Sequence, residues 1–535
     1  MDFYFRTKPL DHQLAAFEER REFVNDAVFW DMGTGKTKFI LDQVVWLFLQ
    51  GKIDALLVVA PSGVHRNWVT DEIPKHVPEE IQVNAAVWQS QKASTKKHER
   101  MIAEAASSKG LAVLTMNYEA FTTKAGKNAA WKFLKNRRVL MVLDESTRVK
   151  SPGAKRTRSI IAACKYACYR RLLSGTPITN GPFDAYSQYR CLDENFWKQF
   201  GLGQFEAFKQ KYGIFQRFDR HDGKSFTTCV GYRFLDHLQE IIDTNSTRVL
   251  KQDVLDLPAK TYVKYYVEME PEQRRLYEQL KDEGLLFFQQ GGEQVMIDAS
   301  LAIVRLLRLQ QILCGYLPSE TEEPVELIPM KKDGRLNALL EVLQDAGTQK
   351  TIVWARFRMD IQRIMQALKD EGINAVSYYG ATTQDDRGKA IASFTGKRVI
   401  MDGTRVVGTE DVPADQQAQV FVANPSTAGE GLTLTCATNV VYYSNSFKLA
   451  ERLQSEDRCH RIGQDNKVLY TDIVCGDSVD EDIVSSLRNK LDIAIHLMSD
   501  QRKSGSNGPR PARPPGATGR RGCRLCAVET AHARP

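Results

Sequence analysis

The sequence predicts an α/β protein built from two doubly wound parallel sheets, with helical insertions between them. Three observations support this prediction: short apolar runs alternate with amphipathic stretches, the alternation stops near residue 190 and resumes near residue 330, and the first run leads into a glycine-rich loop. Strands buried on both faces have continuous apolar sequences, and strands that alternate with helices form parallel sheets.

Four short apolar runs in the first third of the chain predict the strands of the first sheet. They are Ala27–Trp30, Ala55–Ala60, Leu111–Leu114 and Val139–Leu143. Amphipathic segments lie between them, so strand and helix alternate as in a doubly wound sheet. We therefore expect residues 1–190 to form the first lobe.

The same alternation predicts a second lobe over residues 331–500. Its strand-like runs are Thr351–Trp354, Gln419–Val422 and Asn439–Tyr443. Between the lobes, aromatic and charged segments with helical patterns replace the apolar runs. We expect residues 191–250 to form a helical insertion and linker, and residues 251–330 to lead into the second lobe with a helical protrusion.

The positive charge of the chain is concentrated in its C-terminal tail. The formal net charge of the 535 residues is +7, and residues 501–535 carry eight Lys or Arg against one Asp or Glu. The preceding 500 residues therefore balance to zero, and bulk charge does not indicate a nucleic-acid-binding body. Many Gly and Pro and few large apolar groups predict a disordered basic tail. Its Cys523 and Cys526, with His532 nearby, have zinc-like spacing but no second pair, so we favour an inert tail.

The sequence contains no pattern typical of membrane insertion or secretion. Its apolar runs fall well short of the ~20 residues that a membrane-spanning helix needs. The N-terminus lacks a signal-peptide pattern, so a cytoplasmic location is expected, and a nuclear one remains open. We expect no membrane partner.

A glycine-rich loop follows the first apolar run and precedes an apolar helix. The loop consists of Gly33, Thr34, Gly35, Lys36 and Thr37. Strand, glycine loop and helix in this order predict a phosphate-binding loop, because backbone N–H groups can surround phosphates at the helix N-terminus. Lys36 would reach the β- and γ-phosphates of ATP, and the Thr37 hydroxyl would hold Mg²⁺. Trp30 occupies the position of the first glycine in the strict pattern.

Two acidic residues end the apolar run Val139–Leu143. Acids at the end of a buried strand are costly unless they bind something. We expect Asp144 to position Mg²⁺ through water, and Glu145 to orient or deprotonate the attacking water. The alternative is a solvated turn.

A short arginine-rich segment lies near the end of the second lobe. Within Gln454–Gln464, Arg458 and Arg461 are three residues apart, which predicts one helical turn that presents two guanidiniums to a phosphate bound elsewhere. A guanidinium is planar, permanently charged and able to bind phosphoryl oxygens in a fork. The alternative is a solvated helical face.

These features together resemble superfamily 2 nucleic-acid motors, and "HRIGQ" at His460–Gln464 is similar to the Swi/Snf-type branch. The resemblance covers about residues 8–495, with the glycine loop, the acidic pair, "SGTP" at Ser174–Pro177 and "HRIGQ" in family order. It implies two RecA-like lobes and the cofactors ATP and Mg²⁺. The compact build is similar to bacterial and phage members, which implies a bacterial cell or a phage-infected host.

The resemblance also implies roles for individual residues. Gln13 would read adenine, and Gly431 would permit close backbone approach at the cofactor site. The implied nucleic-acid contacts are Ser62, Asn117, Tyr118, Arg356 and Thr427, and the implied coupling residues are Ser174, Thr176 and Gln454. Arg458 and Arg461 would stabilise charge on the γ-phosphoryl group. Ser246–Lys260 resembles the stretch that carries such chains from the first lobe into the second.

One segment departs from the usual spacing of the family. Residues 395–419 are longer than the family places there, and two β-rich runs flank Asp402 and Gly403. Such runs around a turn predict a hairpin. We interpret it as a surface insertion, with a contact device as the alternative.

The resemblance implies an ATP-dependent translocase on DNA, with sequence-independent binding to duplex DNA expected. Two alternatives remain open. One is a strand-separating helicase on DNA or RNA. The other is an ATP-gated DNA clamp with little turnover, for which Trp30, Ser146, Thr147 and Glu430 are the departures from the family pattern.

Overall fold

The computed structural model describes residues 2–62, 64–93, 95–219, 225–283, 285–290, 293–298, 302–317, 324–402, 405–428 and 432–498. The chain divides into two compact units. Unit 1 comprises Met1–Asp256 and Lys490–Pro535, and unit 2 comprises Leu257–Asn489. The boundary between Asp256 and Leu257 therefore lies inside Ser246–Lys260, the stretch predicted to lead from the first lobe into the second. The predicted tail with Cys523, Cys526 and His532 lies outside the described residues.

Unit 1 contains a seven-stranded parallel sheet with the strand order β3-β4-β2-β5-β6-β1-β9. Its strands are β1 (Asn25–Trp30), β2 (Ala55–Ala60), β3 (Val83–Val87), β4 (Leu111–Asn117), β5 (Val139–Asp144), β6 (Tyr169–Leu173) and β9 (Ser246–Val249). An antiparallel hairpin is formed by β7 (Gly213–Asp219) and β8 (Ser225–Tyr232).

Helices connect the strands of unit 1. They are α1 (Asp11–Arg20), α2 (Lys36–Leu49), α3 (Val64–Asn67), α4 (Ile73–His76), α5 (Lys96–Ser107), α6 (Lys124–Lys135), α7 (Lys155–Cys164), α8 (Asp184–Leu192), α9 (Phe205–Tyr212), α10 (Leu235–Asp243) and α11 (Lys251–Val254). Two of them begin at hydroxyl caps, since Thr95 accepts from a first-turn N–H of α5 and Thr123 accepts from one of α6.

Alternate residues of one strand pack into two different cores of unit 1. In β2, Leu57 and Val59 belong to the core on one face of the sheet, and Leu56 and Val58 belong to the core on the other. Successive side chains of a strand point to opposite faces, so a sheet covered on both faces requires an unbroken apolar strand. This is why the apolar runs predicted these strands.

Unit 2 contains a six-stranded parallel sheet with the strand order β10-β21-β20-β15-β19-β16. Its strands are β10 (Lys260–Val267), β15 (Thr351–Trp354), β16 (Ala375–Tyr378), β19 (Val420–Ala423), β20 (Asn439–Tyr442) and β21 (Val468–Cys475). Three antiparallel pairs accompany the sheet: β11 (Leu285–Gln290) with β12 (Glu293–Asp298), β13 (Tyr316–Leu317) with β14 (Val325–Glu326), and β17 (Lys397–Asp402) with β18 (Arg405–Asp411).

The helices of unit 2 follow the same alternation. They are α12 (Pro271–Glu283), α13 (Ala302–Leu313), α14 (Gly334–Ala346), α15 (Arg358–Asp370), α16 (Gln384–Thr395), α17 (Pro425–Ala428), α18 (Leu449–Glu456) and α19 (Val479–Met498). The last helix belongs to unit 2 through Asn489 and to unit 1 from Lys490 onward, and its Leu497 is buried in a core of unit 1. Among the described residues, no helix is long and apolar enough to cross a membrane.

The architecture confirms the predicted fold class of two parallel α/β sheets, and the β17–β18 pair confirms the predicted hairpin. The description of residues 191–250 as helical was wrong in part. That segment contains the β7–β8 hairpin and β9, the edge strand of the first sheet. The four residues of β9 include polar and charged side chains, because an edge strand is only partly buried, and so they lack an apolar run.

Candidate functional site

The glycine-rich loop joins β1 to α2 at the carboxyl edge of the first sheet. Gly33 and Gly35 have φ angles of +82° and +83°, a left-handed region that favours glycine. The Lys36 ammonium group lies over the loop and donates to the main-chain carbonyls of Trp30 at 2.9 Å and Asp31 at 3.1 Å. The helix begins at Lys36, so its first N–H groups and this ammonium group face the same loop.

Trp30 lies at the end of β1 and not in the loop. Its side chain is fully buried, its ring packs against Phe39 with centroids 4.6 Å apart, and its Nε1 donates to the Thr247 hydroxyl at 2.8 Å. The departure from the strict glycine pattern is therefore a core substitution that leaves the loop itself intact.

Gln13, on α1, forms hydrogen bonds to the same loop. Its Nε2 donates to the carbonyls of Thr34 at 3.4 Å and Gly35 at 3.1 Å, and its Oε1 accepts the Leu10 N–H at 2.9 Å. A Cβ added to Gly35 would lie 2.1 Å from this nitrogen. His12 Nε2 also donates to the Thr34 carbonyl, at 2.9 Å. Adenine recognition by Gln13 stays a prediction, and it would require the amide to exchange these partners.

The two acids stand at the end of β5, on the sheet edge that also carries the glycine loop. Asp144 Oδ2 accepts the Trp68 indole N–H at 3.0 Å, and the Asp144 carbonyl accepts the Tyr118 hydroxyl at 2.7 Å. Burial raises the pKa of Asp144, although the Trp68 bond and the charge of nearby Lys36 lower it in part. Glu145 has φ +54° and ψ +56°, a left-handed conformation that is strained in a residue with a side chain.

An arginine that the sequence analysis did not single out connects the loop to "SGTP". Arg248 on β9 forms an ion pair with Asp31 at 2.8 Å and donates to the Gly175 carbonyl at 3.1 Å. The Lys251 N–H donates to the other Asp31 oxygen at 2.9 Å. The only sequence signal for this contact was that Arg248 lies in the stretch that resembles the family linker.

The predicted coupling residues of unit 1 are held by local hydrogen bonds. Ser174 is buried, and its hydroxyl accepts the Thr176 N–H at 3.1 Å. Ser146, a departure from the family pattern, is also buried and donates to Gln188 Oε1 at 2.7 Å. This departure is therefore accommodated inside unit 1.

Two of the predicted nucleic-acid contacts meet at the ends of neighbouring strands, and a third does not. Asn117, the last residue of β4, donates through Nδ2 to the hydroxyl of exposed Ser62, which follows β2, at 3.0 Å. Arg156 and Arg148 lie 3.7 Å and 3.9 Å from the carboxylate of adjacent Glu119. By contrast, Tyr118 is fully buried and bonded to the Asp144 carbonyl. A side chain without exposed surface cannot reach a bound strand, so the predicted contact at Tyr118 stays a prediction for its main chain alone.

In unit 2, a polar pocket of about 160 Å³ opens at the carboxyl edge of the sheet. Arg356, after β15, lines it and donates to Gln310 Oε1. Asn424, after β19, donates to the Arg356 carbonyl at 2.5 Å, and Lys448 and Ser426 also line the pocket. The lining is rich in donors and contains basic groups, as a phosphate-binding surface requires.

The motif after β19 lies only in part within the described residues. Thr427 is half-buried on α17, while Gly429, Glu430 and Gly431 lie outside the described residues. Gln454 is half-buried on α18. Their predicted roles stay predictions.

Arg458 and Arg461 do not lie on a helix, so the predicted helical turn was wrong. α18 ends at Glu456, and residues 457–463 form turns. Arg458 and Arg461 both donate to the Leu432 carbonyl, at 3.3 Å and 3.4 Å, and Arg461 also donates to the Thr433 hydroxyl at 3.0 Å. They are brought together by this shared acceptor rather than by helical spacing.

The other polar residues of "HRIGQ" hold the segment in place. Gln464 Nε2 donates to the carbonyls of Thr435 at 3.0 Å and Ala437 at 2.9 Å. His460 Nε2 donates to the Pro258 carbonyl at 2.8 Å. Gly463, with φ +92°, supplies the left-handed residue that the turn needs.

Glu456 is the centre of a buried charge network that the sequence analysis missed. Its carboxylate accepts from Lys260 Nζ at 2.9 Å, the Tyr262 hydroxyl at 2.7 Å and Arg452 Nε at 2.8 Å. Burial by itself would raise the pKa of Glu456, but the charges of Lys260 and Arg452 hold its pKa below the ordinary value. Arg452 also pairs with Asp472 at 2.5 Å.

The parallel sheets, the glycine loop and the acids at one sheet edge define a P-loop α/β protein. The sequence profile of the SNF2-related domain matches residues 18–315, more than half of the chain, and that of the helicase conserved C-terminal domain matches residues 334–463. The chain belongs to the SNF2-related family.

Curated relatives extend well beyond the matched region. An uncharacterized ATP-dependent helicase of Mycoplasma pneumoniae is 23% identical over 466 residues, which cover 86% of this chain and 39% of the relative. The ATP-dependent helicase FUN30 of Saccharomyces cerevisiae is 21% identical, over 88% of this chain and 45% of the relative. The chain thus spans less than half the length of these relatives.

One solved structure with a similar chain is the Sulfolobus solfataricus SWI2/SNF2 ATPase core in complex with dsDNA. It is 20% identical, and the match covers 94% of this chain and 95% of that chain with a TM-score of 0.37.

Proposed function

We propose that the chain is an ATP-driven motor that moves along duplex DNA without sequence preference. The observation that carries the proposal is the convergence of Lys36 and Asp144 at one edge of the first sheet, in a chain of the SNF2-related family. The names of the curated relatives, which are ATP-dependent helicases, support the same activity.

The donor set at this edge fits MgATP. Thr37 offers a hydroxyl and Asp144 a carboxylate, and both are the oxygen ligands that Mg²⁺ prefers. In the described part of the chain, no group of three or more His, Cys, Asp or Glu could hold a metal ion. Mg²⁺ would then be held by one carboxylate, one hydroxyl and the phosphates, because Mg²⁺ rarely uses an all-protein cage.

Different residues of the chain would bind the phosphates, activate the attacking water and stabilise the transferred phosphoryl group. The loop N–H groups and Lys36 hold the phosphates, and Glu145 orients or deprotonates the attacking water. Arg458 and Arg461 stabilise charge on the transferred phosphoryl group, a contribution of roughly 10³–10⁵ in rate in related reactions. Bound Mg²⁺ would neutralise charge that develops on the phosphates.

Nucleic-acid binding would use two surfaces. In unit 1, exposed Ser62 and its partner Asn117 offer a hydroxyl and an amide. In unit 2, Arg356 and Lys448 line a polar pocket, and Thr427 lies nearby on α17. Such groups bind phosphates rather than base edges, so binding should be insensitive to sequence and sensitive to salt.

The test compares ATP hydrolysis with double-stranded DNA, single-stranded DNA and RNA, for the parent protein and for Glu145→Gln. Stimulation of the parent by duplex DNA, together with triplex displacement that proceeds without unwinding, supports the proposal. Robust unwinding of a tailed duplex would indicate a strand-separating helicase instead. Nucleotide-dependent DNA binding without turnover would indicate a clamp.

A further inference from the structure

Asp144 is held at two points by side chains from other segments of unit 1. The Trp68 indole N–H donates to its carboxylate at 3.0 Å, and the Tyr118 hydroxyl donates to its main-chain carbonyl at 2.7 Å. Both aromatic side chains are buried. An indole nitrogen can only donate, so this bond fixes which way the carboxylate oxygen points.

The same two segments carry Ser62 and Asn117, the pair proposed to bind a phosphate strand. Tyr118 directly follows Asn117, whose amide donates to the Ser62 hydroxyl at 3.0 Å. Ser62 precedes α3, and Trp68 opens the π-helical turn Trp68–Glu72 that follows this helix. π-Helical turns are rare, and they occur frequently at functional sites. Tyr118 thus joins Asn117 directly to Asp144, and Trp68 belongs to the segment that follows Ser62.

Other buried tryptophans of unit 1 show what a purely structural indole does. Trp197 is buried to the same degree as Trp68, and its Nε1 donates to the Tyr186 carbonyl at 2.8 Å. Its partner is a fixed main-chain group, whereas the partner of Trp68 is a carboxylate that can rotate. A buried indole N–H needs an acceptor, and Trp68 finds it on the carboxylate that would position Mg²⁺.

We propose that Trp68 and Tyr118 are positioning residues that orient Asp144 for Mg²⁺ and couple this orientation to nucleic acid bound at Ser62 and Asn117. The inference rests on the proposed function. Tyr118 controls where the Asp144 backbone lies, and Trp68 controls where its carboxylate points. Because coupling between binding sites is reciprocal, Mg-nucleotide should tighten DNA binding by the same factor by which DNA tightens nucleotide binding.

The test measures equilibrium binding of a fluorescent ATP analogue, so that no readout depends on turnover. The parent for this test is Glu145→Gln, and binding is measured with Mg²⁺ or with EDTA, each with and without a short duplex DNA. Trp68→Phe keeps an aromatic ring and removes the N–H, and Trp197→Phe makes the same change where the partner is a main-chain carbonyl. Tyr118→Phe removes only the hydroxyl.

We expect Mg²⁺ to tighten binding to the parent and to Trp197→Phe equally. Trp68→Phe should reduce this Mg²⁺-dependent gain in nucleotide affinity by about 10-fold to 100-fold, the usual effect of losing a group that orients a metal ligand. Nucleotide binding in EDTA should be unchanged. Tyr118→Phe should keep the Mg²⁺ gain and lose the further gain from DNA. Circular dichroism checks folding, and if Trp68→Phe does not fold, Tyr118→Phe decides the inference by itself.

The outcomes separate this inference from the function on which it rests. If Trp68→Phe matches Trp197→Phe, and Tyr118→Phe responds to DNA as the parent does, the positioning inference is overturned and the motor function stands. A parent protein whose nucleotide binding ignores both Mg²⁺ and DNA would overturn both.

Discussion

Replacing Glu456 with Gln should destabilise unit 2, because the carboxylate neutralises two cations in a buried setting. Glu456 is 3% exposed and accepts from Lys260 and Arg452. Breaking a buried ion pair by removing one partner costs about 3–5 kcal/mol. Lys260 is partly exposed and Arg452 keeps Asp472, so we place Glu456→Gln at the low end, about 3 kcal/mol.

The matched control is Glu451→Gln on the same helix. Glu451 pairs at 2.6 Å with Lys448, whose side chain is 69% exposed, and such surface pairs contribute below about 1 kcal/mol. Urea unfolding followed by circular dichroism measures both variants and the parent. Equal free energies of unfolding for the two variants would refute the assignment of a buried network to Glu456.

Acid pH provides a second measurement on the same pair of proteins. The pKa of Glu456 is lowered in the folded state. Its contribution to the free energy of unfolding is therefore present above the unfolded-state pKa of ~4.3, and it is lost as the pH falls through the lower folded-state pKa. The stability difference between the parent and Glu456→Gln should therefore shrink below about pH 4. A difference that grew on acidification would mean that the sign of the pKa shift is wrong.

Three further predictions concern the candidate nucleotide site. Lys36→Ala should reduce DNA-stimulated ATP hydrolysis at least about 100-fold, whereas the exposed-lysine control Lys97→Ala should not; equal rates would exclude a role for the loop. Arg461→Ala should lower kcat by about 10³ and leave the circular dichroism spectrum unchanged, and an unchanged kcat would remove it from catalysis. Gly35→Ala should weaken nucleotide binding because its Cβ would displace the Gln13 amide, 2.1 Å away, and would strain the phosphate loop at φ +83°, while Gly51→Ala, also at positive φ but in open space outside the loop, should not.

The apolar strands of both sheets were predictable because burial on two faces requires a continuous apolar run. The strand β6 shows the limit of this rule, since it contains Arg170 and Arg171. Arg171 is fully buried, and its Nε donates to Gln43 Oε1 at 2.8 Å. A partner more than a hundred residues away makes that burial possible, and no local pattern reveals it.

The candidate site also has parts that the sequence predicts and parts that depend on distant contacts. The glycine loop and the acids were predictable, because local strand and loop chemistry determines their positions. The burial of Tyr118 and the turn that carries Arg458 were not, because both depend on distant acceptors: the Asp144 carbonyl for Tyr118 and the Leu432 carbonyl for Arg458. Spacing along the chain therefore identified the residues better than it described their conformation.

The division of α19 between the two units has a consequence for synthesis of the protein. Leu497 belongs to a core of unit 1, although the rest of that unit ends at Asp256 in the chain. During translation, the strands of the first sheet are made long before the residues of α19 that complete its core. Domains begin to fold from the N-terminus as they are made, so this sheet can start to form without those residues. Unit 1 must wait for all of unit 2 to be synthesised before its last apolar contact can form, and a chain ended at Asn489 would leave that position in the core unfilled.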